Sequence, residues 1–140
     1  MLVSAHPKLA EPLVIGAGDA AVTDVSRYPD VADLLLIADV LITDYSSLMF
    51  DFALTGRPML FFSYDLDRVR DKLRGFCFDF EAEAPGPLLR TSDEVMDAAR
   101  HLDDVTSRFR AAYLALAARF SGRDDGQAAA RTVDWMLSQL

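Results

Sequence analysis

Asp39-Val-Leu-Ile-Thr-Asp-Tyr-Ser-Ser-Leu-Met-Phe-Asp51 is the stretch that decides the fold. Val40 to Ile42 is a short apolar run and reads as a buried parallel strand. Thr43 and Asp44 end it. Ser46 or Ser47 is placed to cap a helix that starts at once and runs to Gly56. A strand that stops in polar residues and turns directly into a helix leaves several backbone N–H groups aimed at one place. Unpaired N–H groups and the helix dipole attract an anion, most commonly phosphate. In open α/β sheets, ligands bind at the carboxyl ends of the strands, where this turn falls.

On the amino-terminal side, Met1 to Ala5 reads as a strand ended by His6-Pro7, because a residue before proline is pushed to extended geometry. A helical turn is expected over Lys8 to Leu13 and a loop over Val14 to Asp19. A second strand follows over Ala21 to Val25, then a turn at Arg27-Tyr-Pro-Asp30. Asp30 is placed to cap a helix from Val31 to Ala38 that turns Leu34, Leu35 and Ile37 to the core.

On the other side, Leu48, Met49, Phe52, Ala53 and Leu54 form an apolar band at helical spacing. Gly56 and Pro58 stop that helix. Met59 to Phe62 is apolar throughout and predicts a central strand. A charged helix is expected from Asp65 to Arg74; its Arg68, Arg70, Lys72 and Arg74, interleaved with acids, read as a solvated face. An extended segment over Phe76 to Phe80, an acidic loop over Glu81 to Pro87 and a short strand over Leu88 to Arg90 follow. Thr91 with Glu94 is a capping-box pattern opening a helix to about Leu102. Helices are expected over Val105 to Phe120 and Gln127 to Leu140, around a polar break at Gly122 to Gly126. The last should bury Val133, Trp135, Met136 and Leu137. This alternation predicts an α/β, three-layer Rossmann-like domain with a parallel sheet and a helical carboxyl-terminal tail.

The 140 residues suit one compact domain, 1–140, and 51% of them are apolar, enough for a core. Asp33, Asp39 and Asp44 interrupt the apolar run at Val31 to Met49, so it does not read as a membrane span. No basic segment followed by an apolar stretch opens the chain. A formal net charge of −8 argues against a broad basic face for nucleic acid. It leaves room for phosphate, since helix N-termini and single arginines act locally. Cys77 is the single cysteine, which excludes an intrachain disulfide and a cysteine-based zinc site, and makes the reducing cytoplasm the default. No metal-ligand spacing and no Walker-type loop appear, so neither metal nor cofactor is expected. A strand entered at Leu2 with nothing ahead of it suggests the second half of a longer protein.

Several pieces in fixed order resemble the CDP-glycerol glycerophosphotransferase family. They are Ala38 to Ser47, Asp51-Phe-Ala and Gly56-Arg-Pro58, with His6-Pro7, Tyr28-Pro-Asp30, Phe61-Phe-Ser-Tyr-Asp65, Arg74-Gly-Phe76, and Asp124-Asp-Gly126 with Arg131. One departure is Ser4, where the family often carries a basic residue. The resemblance implies the carboxyl-terminal, donor-nucleotide-binding half of a two-domain GT-B-like enzyme of teichoic-acid-type polymer synthesis. It implies transfer of glycerol or ribitol phosphate from a CDP-polyol to the hydroxyl of a polyol-phosphate or lipid-linked acceptor, with release of CMP. It implies a cytoplasmic enzyme, peripheral on the inner face of the membrane. The catalytic base would come from the other half, so this portion alone should be inactive.

In that setting Ser46 and Ser47 would hold the pyrophosphate, and Asp51, one turn along, would accept a ribose or glycerol hydroxyl. The plainer readings are an N-cap and a first-turn acid favoured by the dipole. Asp44 would orient the loop or touch the ligand, and Tyr45 would pack on the loop. By the resemblance His6 contacts donor phosphate and assists the leaving nucleotide; otherwise it is a strand-end histidine. Arg57 is either a phosphate or base contact or a cation at a helix end. Arg27 and Tyr28 would flank the cytidine. His101, among Asp97, Asp103 and Asp104, reads as surface. Two rivals stay open: a GT-B glycosyltransferase using a nucleotide sugar, and a non-catalytic module binding a partner through its acidic helical tail.

Overall fold

A computed structural model describes residues 1–5, 21–68 and 78–139. The expectations for His6, for residues 8–19, for the charged helix beyond Arg68 and for residues 76–77 lie outside these. The chain divides into two compact units, Met1–Leu34 and Leu35–Leu140, each described by itself.

In the first unit, β1 (Leu2–Val3) and β2 (Thr23–Asp24) pair in parallel, Leu2 against Thr23 and Val3 against Asp24. The backbone ladder is extended by Val25 N–H donating to the Val3 carbonyl at 2.9 Å. The Ala5 N–H donates to Ser26 Oγ at 2.8 Å, which fixes the turn after β2. Asp30 Oδ1 accepts from the Ala32 N–H at 2.9 Å, the cap expected for α1 (Val31–Ile37).

The second unit is built on a parallel sheet in the order β3 (Leu41–Thr43), β4 (Met59–Phe62), β5 (Leu88–Leu89). β4 is central, as its unbroken apolar sequence demands; Met59, Leu60 and Phe61 are at most 1% exposed. β3 departs from expectation. It has a β-neighbour on one side only among the described residues, and Ile42 is 42% exposed. An apolar run of three residues does not separate an edge strand from a central one.

Helix α2 (Leu48–Phe52) continues as a 3₁₀ turn, Ala53–Thr55, and closes on Gly56 at φ +72°, a left-handed position that glycine takes at no steric cost. The helical stretch thus reaches Gly56 as predicted, and Met49, Phe52 and Ala53 are its buried side, while Leu54 faces solvent. Ile37 is likewise exposed; of the α1 residues assigned to the core, Leu35 is buried and Leu34 half-buried.

The segment read as extended and then loop holds a helix instead. Asp79 Oδ1 accepts from the Ala82 N–H at 3.1 Å and opens α4 (Phe80–Glu83), so Phe80 is a first helical residue. Between β4 and α4 runs α3 (Leu66–Arg68). The core joins these elements through aromatic edges: Phe61 to Phe80 at 5.2 Å, Phe78 to Phe80 at 5.9 Å, and Phe50 to Phe78 at 6.1 Å.

After β5, helix α5 (Ser92–Arg100) opens with the complete capping box on Thr91 and Glu94. α6 (Leu102–Ser121) packs on α2 and its 3₁₀ turn, where the Tyr113 hydroxyl donates to the Ala53 carbonyl at 3.1 Å. α7 (Ala128–Leu137) overturns one expectation. Val133, Trp135, Met136 and Leu137 are 53%, 64%, 59% and 62% exposed. An amphipathic pattern names the side a helix would bury and is silent on whether a partner lies against it. The α/β class with parallel strands and a helical carboxyl-terminal tail is as the sequence predicts.

Candidate functional site

The serine turn sits at the carboxyl end of β3. Ser47 occupies the N-cap position of α2, and its side chain makes no capping bond. Ser46 supplies a partial substitute, since its Oγ accepts from the Leu48 N–H at 3.3 Å. The serine carbonyls start the helix, Ser46 O accepting from Met49 N–H at 3.3 Å and Ser47 O from Phe50 N–H at 3.0 Å. The N–H groups of Ser46 and Ser47 have no partner among the described residues. Ser46 is half-buried, while Ser47, Asp44 and Asp51 are exposed. Two amides without a partner among the described residues, two hydroxyls and a carboxylate one turn further on are therefore gathered at the carboxyl end of β3.

Tyr45 ties this loop to its neighbours. Its hydroxyl donates to Asp65 Oδ1 at 3.0 Å. Its ring meets Phe80 edge-on at 5.9 Å. Burial, then the hydrogen bond to Asp65 and the charges of Asp65 and Asp44, push the phenol well above its ordinary pKa, so it stays protonated and remains a donor. Packing on its own loop is what the sequence predicts for Tyr45; its ring instead packs against Phe80 of α4. Its tie to Asp65 had no local signal, because the two residues are separated by twenty positions.

Arg57 is placed elsewhere. It precedes β4 and so lies at the amino edge of the parallel sheet, whereas the serine turn follows β3 at the carboxyl edge. Its Nη1 donates to the carbonyls of Leu36 at 2.7 Å and Ala38 at 2.6 Å, a cation serving the end of α1. A largely apolar cleft of about 190 Å³ adjoins it, lined in part by Pro58, Phe109, Arg110 and Tyr113, and does not reach the serines.

Arg27 and Tyr28 belong to the Met1–Leu34 unit, and both are exposed. The Tyr28 hydroxyl donates to Asp33 Oδ2 at 3.1 Å, which raises the phenol pKa. His6 lies outside the described residues. His101 is exposed, its Nδ1 2.9 Å from the Asp97 carbonyl, as a surface residue should be. Among the described residues no cluster of His, Cys, Asp and Glu has the arrangement of a metal site.

Comparisons with known proteins bear on this arrangement. A family model described as CDP-Glycerol:Poly(glycerophosphate) glycerophosphotransferase matches residues 1–138. A teichoic acid glycerol-phosphate transferase of Staphylococcus aureus (strain NCTC 8325 / PS 47) is 43% identical over 113 residues, which are 81% of this chain and 29% of that protein. A teichoic acid poly(glycerol phosphate) polymerase of Bacillus subtilis (strain 168) is 38% identical over 134 residues, 96% of this chain and 18% of that protein. The solved structure of the wall teichoic acid polymerase TagF superposes with a TM-score of 0.84 at 34% identity, over 99% of this chain and 34% of that one. The chain therefore spans about a third or less of each.

Proposed function

The chain belongs to the CDP-glycerol:poly(glycerophosphate) glycerophosphotransferase family, and from that membership we propose that it is the donor-holding part of a CDP-polyol phosphotransferase. The reaction is attack of an acceptor hydroxyl oxygen on the β-phosphorus of CDP-glycerol or CDP-ribitol. A new P–O bond forms as the bond from the β-phosphorus to the bridging oxygen breaks. CMP leaves with that electron pair, and the hydroxyl proton passes to a base outside the described residues. The acceptor in this reading is a polyol-phosphate or lipid-linked chain, met by an enzyme at the cytoplasmic face of the membrane. Among the described residues no helix is long and apolar enough to cross a membrane.

The observation that carries the proposal is the pair of amides at Ser46 and Ser47 that have no partner among the described residues, beside two hydroxyls at the carboxyl end of β3. Charge that grows on the leaving phosphate meets fixed N–H dipoles, which need no reorganisation as the bond breaks. Asp51 and Asp44 are proposed to accept hydroxyls of the ribose or polyol. His6, Arg27 and Tyr28 enter the proposal on the resemblance; Arg57, at the opposite edge of the sheet and engaged with the Leu36 and Ala38 carbonyls, does not. Membership in a family named for CDP-glycerol favours transfer at phosphorus over the sugar transfer of a nucleotide-sugar glycosyltransferase, and favours a transferase over a purely binding module.

Calorimetric titration tests the reading. The chain should bind CDP at millimolar concentration or below and prefer CDP-glycerol to a UDP-sugar. Ser46→Ala combined with Ser47→Gly should weaken CDP about tenfold or more, the scale of one or two charge-assisted hydrogen bonds. An unchanged affinity in that double variant removes the two hydroxyls from the site, and a chain that takes up no CDP refutes the anion site itself. A preference for the UDP-sugar refutes the choice of donor.

A further inference from the structure

One side-chain hydrogen bond joins two loops at the carboxyl edge of the sheet. Tyr45 stands immediately before the serines in the loop after β3, and Asp65 stands in the loop after β4. The O–H···Oδ1 distance between them is 3.0 Å. Both ends of this bond are anchored in the core. The Tyr45 ring rests edge-on against Phe80, which is 1% exposed and itself edge-on to Phe61 of the central strand. On the other side Ser63 is fully buried, and its N–H donates to the Leu89 carbonyl of β5 at 2.7 Å. The Ser63 carbonyl accepts from Leu66 N–H at 3.3 Å, and the Asp65 carbonyl from Arg68 N–H at 2.9 Å. Asp65 is thus presented from a turn pinned to the middle of the sheet.

The serine turn needs such an anchor. Ser47 supplies no side-chain cap, and the one that Ser46 gives is long at 3.3 Å. A loop that must settle around an anion loses conformational freedom on binding, and that loss weakens the complex. A loop already held in place avoids most of it.

We propose that Tyr45 and Asp65 are positioning residues for the donor: their hydrogen bond holds the Ser46 and Ser47 amides in the receiving geometry before the nucleotide arrives. Neither side chain touches the reacting atoms in this scheme. The proposal rests on the donor-site reading above, and it adds a cause for that site's pre-formed shape.

The experiment uses the chain with CDP as probe and three measurements: calorimetric affinity, amide exchange of residues 46–49 without ligand, and melting temperature. Tyr45→Phe keeps the ring on Phe80 and removes the donor. Asp65→Leu removes the acceptor, and Asp65→Asn keeps an acceptor oxygen at the same place. Tyr45→Phe and Asp65→Leu should each weaken CDP about three- to tenfold and speed exchange at 46–49, the effect of one lost hydrogen bond. Asp65→Asn should restore most of both, which a general loss of stability would not do. The double variant Tyr45→Phe with Asp65→Leu should be no worse than either single one, because both remove the same bond. Parent-like affinity in Tyr45→Phe, or strictly additive losses in the double variant, overturns the positioning role while leaving the donor site standing. A parent chain that takes up no CDP overturns the donor reading and this inference with it. If Asp65→Leu does not fold, Tyr45→Phe and Asp65→Asn still decide the matter.

Discussion

Arg57 shows how a side chain read as a ligand contact or a cation at the end of its own helix can serve a different helix altogether. The Gly-Arg-Pro context predicted either a ligand contact or a cation at a helix end, and the guanidinium donates to the Leu36 and Ala38 carbonyls. Sequence could not choose, because the choice depends on which edge of a parallel sheet the residue occupies. Arg57→Met should cost about 1–3 kcal/mol of unfolding free energy, since two carbonyls lose a charged donor; a denaturant titration measures it. Gly86 escaped notice in the sequence for the same reason. A Cβ there would lie 2.0 Å from the Met59 carbonyl oxygen, so the loop before β5 is pressed directly onto β4. Gly86→Ala should therefore destabilise the fold by more than about 2 kcal/mol, whereas an alanine at most exposed positions changes little.

Elements differ in how plainly they announce themselves. The capping box was legible in full, since Thr91 and Glu94 make their bonds within one turn: Glu94 N–H to Thr91 Oγ1 at 3.2 Å, and Thr91 N–H to Glu94 Oε2 at 3.1 Å. Thr91→Ala should lower stability by about 1 kcal/mol, read as a fall in melting temperature. The Glu94 carboxylate also accepts from the Arg90 N–H at 2.6 Å, and these backbone donors hold its pKa below the ordinary value. A carboxylate with a lowered folded-state pKa stabilises the fold above its unfolded pKa. That contribution is lost as pH falls through the folded-state value. Acidification should therefore loosen the start of α5 in the parent more than in Glu94→Gln, by amide exchange at residues 92–96 across pH 5 to 3. Helix α4 was missed because proline and acid around it looked like loop. Asp79 followed by two glutamates in the next four residues was the available signal for a capped first turn. β4 was legible as central because four apolar residues in a row leave no polar face to expose. β3 was misjudged as buried because its neighbours are set by chain topology.

For the molecule as a whole, the parallel order β3-β4-β5 brings the ends of successive strands to a common edge, and the serine loop and the Asp65 loop meet there. That part of the candidate site followed from strand–helix alternation. The coupling between the loops did not, because a bond spanning twenty residues leaves no periodic trace. α7 was legible as a helix and misread as to surroundings. Trp135 is the chain's single tryptophan and is 64% exposed, so its emission should resemble that of a solvated indole and be fully open to acrylamide quenching. A blue-shifted, protected emission would mean that this helix is covered in solution.

The link before α7 gives that arm a particular character. Arg131 Nη1 meets both carboxylate oxygens of Asp125 at 2.7 Å, and its Nη2 donates to the Arg123 carbonyl at 2.7 Å. Reaching back over its own tether, the arginine forms a bracket between the start of α7 and the turn that precedes it. Such an exposed fastening is weak and salt-screened, and acid undoes it as Asp125 takes up a proton. Brine or vinegar should thus free the bracket to swing, with the strands behind it undisturbed.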